Sequence, residues 1–189
     1  MTHPATDAPL TWNVAGLLGD DAGASREFDV ADVTIPFDEG MALTRPISGH
    51  VRFQRTNRGI LADARLATAL QTECSRCLRP MEVPVDIAFE EEFLPALDLS
   101  TGKPLPIDAE PDVARLTDHH EIDLEPLIRD ELVLAEPIAP LHSPDCAGLC
   151  IECGLPLDEG SHDHPTDDID PRFEALRGFT AASDEDQGS

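Results

Sequence analysis

The chain has 189 residues, 41% of them apolar and 4% aromatic, and 38 acids against 13 Lys and Arg give a formal net charge of −25. This length and apolar content suit one ordinary domain and exclude wholesale disorder. The acidity argues against nucleic-acid binding over the whole surface, because phosphates require positive charge, and so few aromatic rings cannot form a base-stacking surface.

The sequence predicts a cytoplasmic protein with no membrane association. No apolar run approaches the roughly 18 residues that a membrane span needs. The first residues, MTHPATDAPL, lack the basic and apolar regions of a signal peptide. The cytoplasm is reducing, so the five Cys are not expected to form a disulfide framework, and CxxC pairs there indicate metal or redox chemistry.

The charge is unevenly distributed along the chain. Residues 45–79 contain seven Arg and two acids, whereas residues 80–189 contain 28 acids and five bases. The acidity suits solubility, a host with a salty cytoplasm, or a basic partner such as a ribosomal protein. Only residues 45–79, the Arg-rich strip, could contact RNA, because the planar guanidinium group suits phosphate. The candidate RNA-binding residues are Arg52, Arg55, Arg58, Arg76 and Arg79, which could equally pair with acids of this chain.

The first two thirds of the chain predict an antiparallel meander. Residues 10–23 read as a short strand and a helical turn, and 27–37 as an edge strand that Pro36 interrupts. Two strands within 47–73 join around a turn at 56–59, where Asn57 and Gly59 tolerate left-handed conformations. The CSRC segment makes a second reversal, and 81–95 returns as a strand. One face of that strand carries Val83, Val85, Ile87 and Phe89.

The strongest helix signal lies at 121–137, after a loop at 96–120 that is expected to be mobile. Asp123 is its predicted N-cap and Pro137 ends it. Its apolar stripe should cover one face of the sheet and comprises Leu124, Leu127, Ile128, Leu132 and Ala135. A last short helix is predicted at 170–179.

These elements predict an α+β fold: an antiparallel meander or partly open, barrel-like sheet, one main amphipathic helix and a C-terminal zinc-binding segment. The predicted units are an α+β core at 10–141, a segment at 142–179 that zinc holds together, and disordered tails at 1–9 and 180–189.

Eight soft ligands carry the clearest chemistry, because Cys and His are the donors that tetrahedral zinc takes in structural sites. They occur as four couples: Cys74/Cys77, His142/Cys146, Cys150/Cys153 and His162/His164. Gly148 and Gly154 suit the tight turns around Cys150 and Cys153.

Two pairings of these couples remain open. In the favoured one, Cys74, Cys77, His142 and Cys146 form site one, and Cys150, Cys153, His162 and His164 form site two. In the other, the two CxxC pairs make one four-cysteine site, so that the chain holds one zinc ion. Catalytic zinc is disfavoured because no general base accompanies the ligands and no HExxH pattern occurs.

The motifs resemble the YceD family of ribosomal RNA accumulation proteins. The resemblance rests on RTNRGIL (55–61), TECSRCLRP (72–80), EEEFLP (90–95), EIDLEPLIRDELVLAEPIAPLH (121–142), CAGLCIECGLPL (146–157) and DPRF (170–173). It implies a non-enzymatic factor needed for 23S rRNA accumulation in large-subunit biogenesis, without catalytic residues or a small-molecule substrate. The family often has Cys where this chain has His142, His162 and His164, which implies that these histidines are ligands.

The resemblance leaves the direct partner open between the 23S rRNA precursor, basic ribosomal proteins of the large subunit, or both. An alternative is a zinc- or redox-responsive thiol protein that binds basic partners, which predicts reversible oxidation of Cys74 and Cys77. A hydrolase with an open zinc site is a third and weaker interpretation.

Overall fold

The computed structural model describes residues 10–37, 40–98, 101, 103–104, 113–160, 162–164 and 171–176. Its helices and strands follow one another in chain order. They are β1 (Thr11–Asn13), α1 (Ala15–Leu18), β2 (Ser25–Val33), β3 (Ala42–Arg55), β4 (Ile60–Glu73), β5 (Pro80–Phe93), β6 (Glu121–Asp123), α2 (Glu125–Ala135) and a 3-10 helix (Pro171–Leu176).

The predicted meander is confirmed as a four-stranded antiparallel sheet in the order β2-β3-β4-β5. It stays open, since no pairing among the described residues joins β2 to β5. Side chains alternate between its faces, so Val51 and Phe53 lie fully buried on one face while Arg52 between them points to the other. The α+β class is therefore confirmed, without a closed barrel.

Helix α2 covers the buried face of the sheet, as its apolar stripe predicts. Leu124, Ile128 and Leu132 are fully buried and belong to one core cluster with Val51 and Phe53. The predicted helical segment, 121–137, begins too early, because 121–123 form β6, which pairs with β1 in a separate two-stranded sheet. The apolar stripe itself begins only at Leu124, and pairing with β1 holds the three residues before it in an extended strand.

The N-terminus of α2 also differs from the prediction. Leu124 occupies the N-cap position, and its side chain makes no capping bond. The Asp123 carboxylate nevertheless accepts a hydrogen bond from the Glu125 amide at 3.0 Å. Asp123 therefore still satisfies one helical donor from one position further out.

The turn between β3 and β4 lies at 56–59, as predicted, but for a different reason. Neither Asn57 nor Gly59 adopts a positive φ. A Cβ atom on Gly59 would lie 2.1 Å from the Phe93 carbonyl oxygen, so glycine is required because β5 passes close by. Thr56 closes the turn, with its Oγ1 accepting from the Gly59 amide at 2.9 Å.

The remaining expectations have mixed outcomes. Strand β2 is an edge strand and ends before Pro36, as predicted. The helix predicted at 170–179 is a 3-10 helix over Pro171–Leu176 where it is described. Two predicted features lie wholly or partly outside the described residues: both tails, and 99–100, 102 and 105–112 of the predicted loop.

No helix in the described ranges is long and apolar enough to cross a membrane. The division at residue 142 stays a prediction.

Candidate metal centres

The eight Cys and His donors lie in two groups of four. Within each group, one ligand atom per residue lies within 4.8 Å of every other. Site one contains Cys74, Cys77, His142 and Cys146, and site two contains Cys150, Cys153, His162 and His164. This is the grouping of the favoured pairing. The two CxxC pairs of the four-cysteine alternative belong to different groups.

The reversal between β4 and β5 presents the two thiols of site one. The Cys74 amide donates to the Arg79 carbonyl and the Leu78 amide to the Cys74 carbonyl, both at 2.9 Å. Leu78 adopts a left-handed φ of 57°, which closes the turn and leaves Cys74 and Cys77 buried beneath it. A CxxC turn of this form directs both sulfur atoms to one side.

The segment after α2 supplies the other half of site one. The Ser75 amide donates to the Pro140 carbonyl at 2.9 Å, which holds this segment against the turn. The Sγ atoms of Cys74 and Cys146 lie 3.7 Å apart. Nδ1 of His142 lies 3.4 Å from the Cys74 sulfur and 3.3 Å from the Cys77 sulfur. Four soft donors therefore converge on one buried point.

The surroundings of site one supply positive charge. Arg76 donates to the Cys146 carbonyl oxygen at 2.8 Å. Arg79 Nη1 lies 3.1 Å from His142 Nε2, while its Nη2 donates to Asp158 at 3.4 Å and to Glu159 at 2.6 Å. Asp158, ahead of Glu159, raises the pKa of Arg79. Sequence reasoning missed this link between the two sites, although Arg79 directly follows the first CxxC turn.

The thiols of site one differ in proton affinity. Burial alone would raise the pKa of Cys74, but hydrogen bonds from His142 and from the backbone of the turn lower it to about 5. Burial raises the pKa of Cys146, where the neighbouring Cys74 adds to the effect. Cys74 is thus held as a thiolate, the form that binds a metal ion.

A small hairpin at 148–157 builds site two. The Cys150 amide donates to the Leu155 carbonyl and the Gly154 amide to the Cys150 carbonyl, both at 2.8 Å. Gly148 and Gly154 have φ values of 88° and 71°, so the predicted need for glycine is confirmed at both positions. Backbone hydrogen bonds from Cys153 and Glu152 lower the pKa of Cys150.

The two histidines of site two fit metal ligands for different reasons. His162 places Nδ1 3.5 Å from the Cys153 sulfur, and its Nε2 lies 3.0 Å from the Pro156 carbonyl oxygen. That contact keeps the proton on Nε2 and leaves the Nδ1 lone pair for a metal. Nε2 of His164 is buried without a hydrogen-bond partner among the described residues. An orphaned ring nitrogen beside two thiols fits a zinc ligand.

The predicted RNA-binding arginines do not form one free surface. Arg55 donates to the carbonyl oxygens of Leu18, Thr56 and Gly59, and so supports the β3–β4 turn. Arg76 and Arg79 contact the metal-site segments. Arg52 donates to Gln54 at 3.1 Å. The backbone amide of Arg58 donates to Oγ1 of Thr56 at 3.1 Å within the β3–β4 turn. RNA contact by these residues stays a prediction.

The face of the sheet that points away from α2 is acidic, which sequence reasoning did not resolve. Across the strands, Arg52 stands between Glu27 and Asp63, and Asp63 in turn stands opposite Glu90. The alternation that buries Val51 and Phe53 therefore places Arg52 among carboxylates. The pairing register of the four strands determines which charged residues lie side by side, so this acidic face could not be predicted from the sequence.

Comparison with known proteins gives the family. A model of the YceD family, described as large ribosomal RNA subunit accumulation protein YceD, matches residues 62–180. The chain belongs to the YceD family. The matched range contains all eight donors.

Curated relatives come from mycobacteria. Uncharacterized proteins of Mycobacterium tuberculosis and Mycobacterium bovis are 36% identical to this chain over 146 residues, which are 75% of this chain and 64% of each relative. One from Mycobacterium leprae is 31% identical over 138 residues, covering 72% of this chain and 60% of the relative. The matches thus span less than two thirds of the relatives' length. No solved structure gives a significant match.

Proposed function

We propose that this chain is a non-enzymatic factor needed for 23S rRNA accumulation during assembly of the large ribosomal subunit, with two structural zinc ions. The observation that carries the proposal is the YceD family match, whose range includes both donor groups. Such a factor acts in the cytoplasm, where reducing conditions keep thiols available for zinc.

The donor sets support a structural role for the metal. Each group offers four N or S ligands, which complete a tetrahedron and leave no position open for a substrate or an activated water molecule. Three thiolates and one histidine give a zinc centre with one net negative charge at site one. The Arg76 side chain, which donates to the Cys146 carbonyl oxygen, offsets that charge, whereas the charge of Arg79 is already paired with Asp158 and Glu159. Site two, with two thiolates and two histidines, would be neutral.

Metal analysis of protein purified without added zinc tests the cofactor. Two zinc ions per chain are expected, one ion lost in Cys146→Ser and the other in Cys150→Ser. A wild-type protein with no bound metal would reject the zinc part of the proposal while leaving the ribosomal role to be judged by the next experiment.

Complementation tests the ribosomal role. Deletion of the gene in its host should lower the ratio of 23S to 16S rRNA, and the wild-type chain should restore it. The control variant Asp130→Asn changes an exposed residue of α2 outside both donor groups, and it should restore the ratio as well as the wild-type chain does. An unchanged rRNA ratio in the deletion strain would overturn the proposed function.

A basic protein is a better direct partner than rRNA on charge grounds. The net charge is −25, and Arg52, a central residue of the predicted RNA-binding strip, lies between Glu27 and Asp63. Phosphates would be repelled by most of this surface.

A pair of arginine variants tests whether RNA is nevertheless contacted through the strip. Arg52→Glu should then weaken binding to naked 23S rRNA. Arg26→Glu should not, because Arg26 lies outside the strip and pairs with Asp20.

A zinc- or redox-responsive thiol protein is the second candidate, and one observation favours it. Cys153 of site two is exposed, and the pKa of its neighbour Cys150 is lowered. Such a pair is accessible to oxidants. The sequence suggested oxidation of Cys74 and Cys77, but both are buried, so the exposed site is the better candidate. Mass spectrometry after mild peroxide treatment would detect a reversible Cys150–Cys153 disulfide with release of zinc. Retention of both ions at peroxide levels that oxidise free thiols would reject this candidate.

A further inference from the structure

The hairpin at 148–157 carries large aliphatic side chains that no part of the described chain covers. Ile151 at its tip is 97% exposed, Leu155 58% and Leu157 42%. Single exposed leucines are ordinary, but three such residues within seven positions of one small hairpin form a patch.

The hairpin register separates its two faces. Leu149 pairs with Pro156, and Leu149 packs against Cys74, Cys77 and Cys146 of site one. Because side chains alternate along a strand, Leu155 and Leu157 share the opposite face. One face therefore attaches the hairpin to site one, the other presents Leu155 and Leu157 to the outside, and Ile151 is exposed at the tip between them.

Negative charge surrounds this patch. Residues 145–164 contain five acids and no Lys or Arg. Arg79 from the neighbouring turn pairs with Asp158 and Glu159, while Asp145, Glu152 and Asp163 are exposed. The surface thus combines aliphatic contacts with a negative rim, which complements a cationic segment that also bears aliphatic side chains.

We propose that the exposed face of the 148–157 hairpin is the docking surface for a Lys/Arg-rich segment of a large-subunit ribosomal protein. This inference rests on the proposed ribosomal function and names the surface and the partner chemistry. Nucleic acid does not fit, because its phosphates would meet the acidic rim. A second copy of this chain does not fit either, because two identical acidic rims would repel each other.

Site-specific photo-cross-linking tests the occupant. A p-benzoylphenylalanine residue introduced at position 151 is incubated with total large-subunit proteins freed of rRNA, and separately with naked 23S rRNA. The control carries the same residue at position 134, an exposed leucine on α2. Cross-links from position 151, but not 134, to Lys/Arg-rich protein peptides are expected. Cross-links to RNA, to a second copy, or equally from both positions would overturn the proposal.

A charge-reversal variant distinguishes a protein partner from an RNA partner, because the two predict opposite changes in binding affinity. Glu152→Lys should weaken binding to the freed large-subunit proteins about threefold to tenfold at low salt. If the surface bound 23S rRNA instead, the same change would strengthen binding. Asp130→Lys on α2 makes the same charge change away from the hairpin and should leave the affinity unchanged.

Removal of the aliphatic patch tests the contact itself. The double variant Ile151→Asp and Leu155→Asp should reduce cosedimentation with large-subunit precursors at least tenfold while retaining two zinc ions. If it loses zinc, Ile151→Ser alone is used, and a threefold or greater loss of binding is expected. Undiminished binding with intact metal would overturn the docking surface only. A wild-type chain that fails to associate with the precursors would instead overturn the proposed function.

Discussion

The two donor groups use the same ligand chemistry in opposite structural settings. In site one, Cys74 and Cys146 are separated by 72 residues, and both are buried against the end of the sheet. In site two, Cys153 and His162 are nine residues apart, and Cys153 is exposed. Site one therefore joins a distant segment to the core, whereas site two shapes a local hairpin.

This difference predicts unequal contributions to stability. Constraining a longer loop removes more entropy from the unfolded chain, by about 1–2 kcal/mol for an eightfold difference in loop length. Site one also shares its surroundings with Met81 and Leu141, so its loss would open part of an apolar cluster. Site two supports mainly the exposed hairpin. Four experiments test whether the two sites differ in this way.

The largest effect is expected from Cys146→Ser compared with Cys150→Ser. Both sulfur atoms are similarly buried, with residues 5% and 8% exposed, and each variant should lose one zinc ion. Cys146→Ser should lower the free energy of unfolding by about 3–5 kcal/mol, and Cys150→Ser by about 1 kcal/mol or less. Thermal and denaturant unfolding measure both. Equal destabilisation would show that the two sites are structurally equivalent.

Chelation should remove the metals in a fixed order. We expect site two to release zinc at least tenfold faster, because Cys153 is exposed and site one is enclosed. A colorimetric chelator follows release in two phases. Hydrogen exchange should then show that 148–160 loses protection before β4 and β5 do. A single phase, or loss of protection in the sheet first, would contradict this order.

Arg79→Gln should weaken site one without removing a ligand. Arg79 pairs with Asp158 and Glu159 of the site-two segment, and the Asp158 carboxylate lies 3.9 Å from Nε2 of His142, whose proton it attracts when Nδ1 binds a metal ion. Loss of such a supporting contact typically costs about tenfold or more in metal affinity. Arg45→Gln is the matched control, because Arg45 pairs with Glu82 on the surface, and exposed pairs contribute about 0–1 kcal/mol. Equal zinc affinities in both variants would show that Arg79 does not couple the sites.

The smallest effect is expected from Gly154→Ala. Gly154 has a φ of 71°, with no atom within 4 Å of a Cβ position, so the cost is backbone strain of about 1 kcal/mol. That strain should speed zinc release from site two and leave the global melting temperature unchanged. A clear fall in melting temperature would mean that site two supports the core.

Most of the local structure could be predicted from the sequence. Alternating apolar residues predict the meander, and the i, i+3, i+4 stripe predicts α2, because each pattern is a direct consequence of one element's geometry. The four donor couples and the glycines at 148 and 154 follow from short-range spacing in the same way. The assignment of 121–123 to the helix is wrong because these residues pair as β6 with β1, more than 100 residues earlier in the chain.

Local sequence patterns were sufficient to predict the meander strands, most of α2 and the eight candidate metal ligands, since these depend on neighbours a few positions apart, whereas β6 depends on a distant partner. Tertiary contacts determine which couples meet, because Cys74 and Cys77 could chemically pair with His142 and Cys146 or with Cys150 and Cys153. Docking of α2 on the sheet, and the bond from Ser75 to Pro140, bring His142 and Cys146 to the CxxC turn. The register of the strands likewise decided that Arg52 lies among carboxylates, as cross-strand neighbours are distant in sequence.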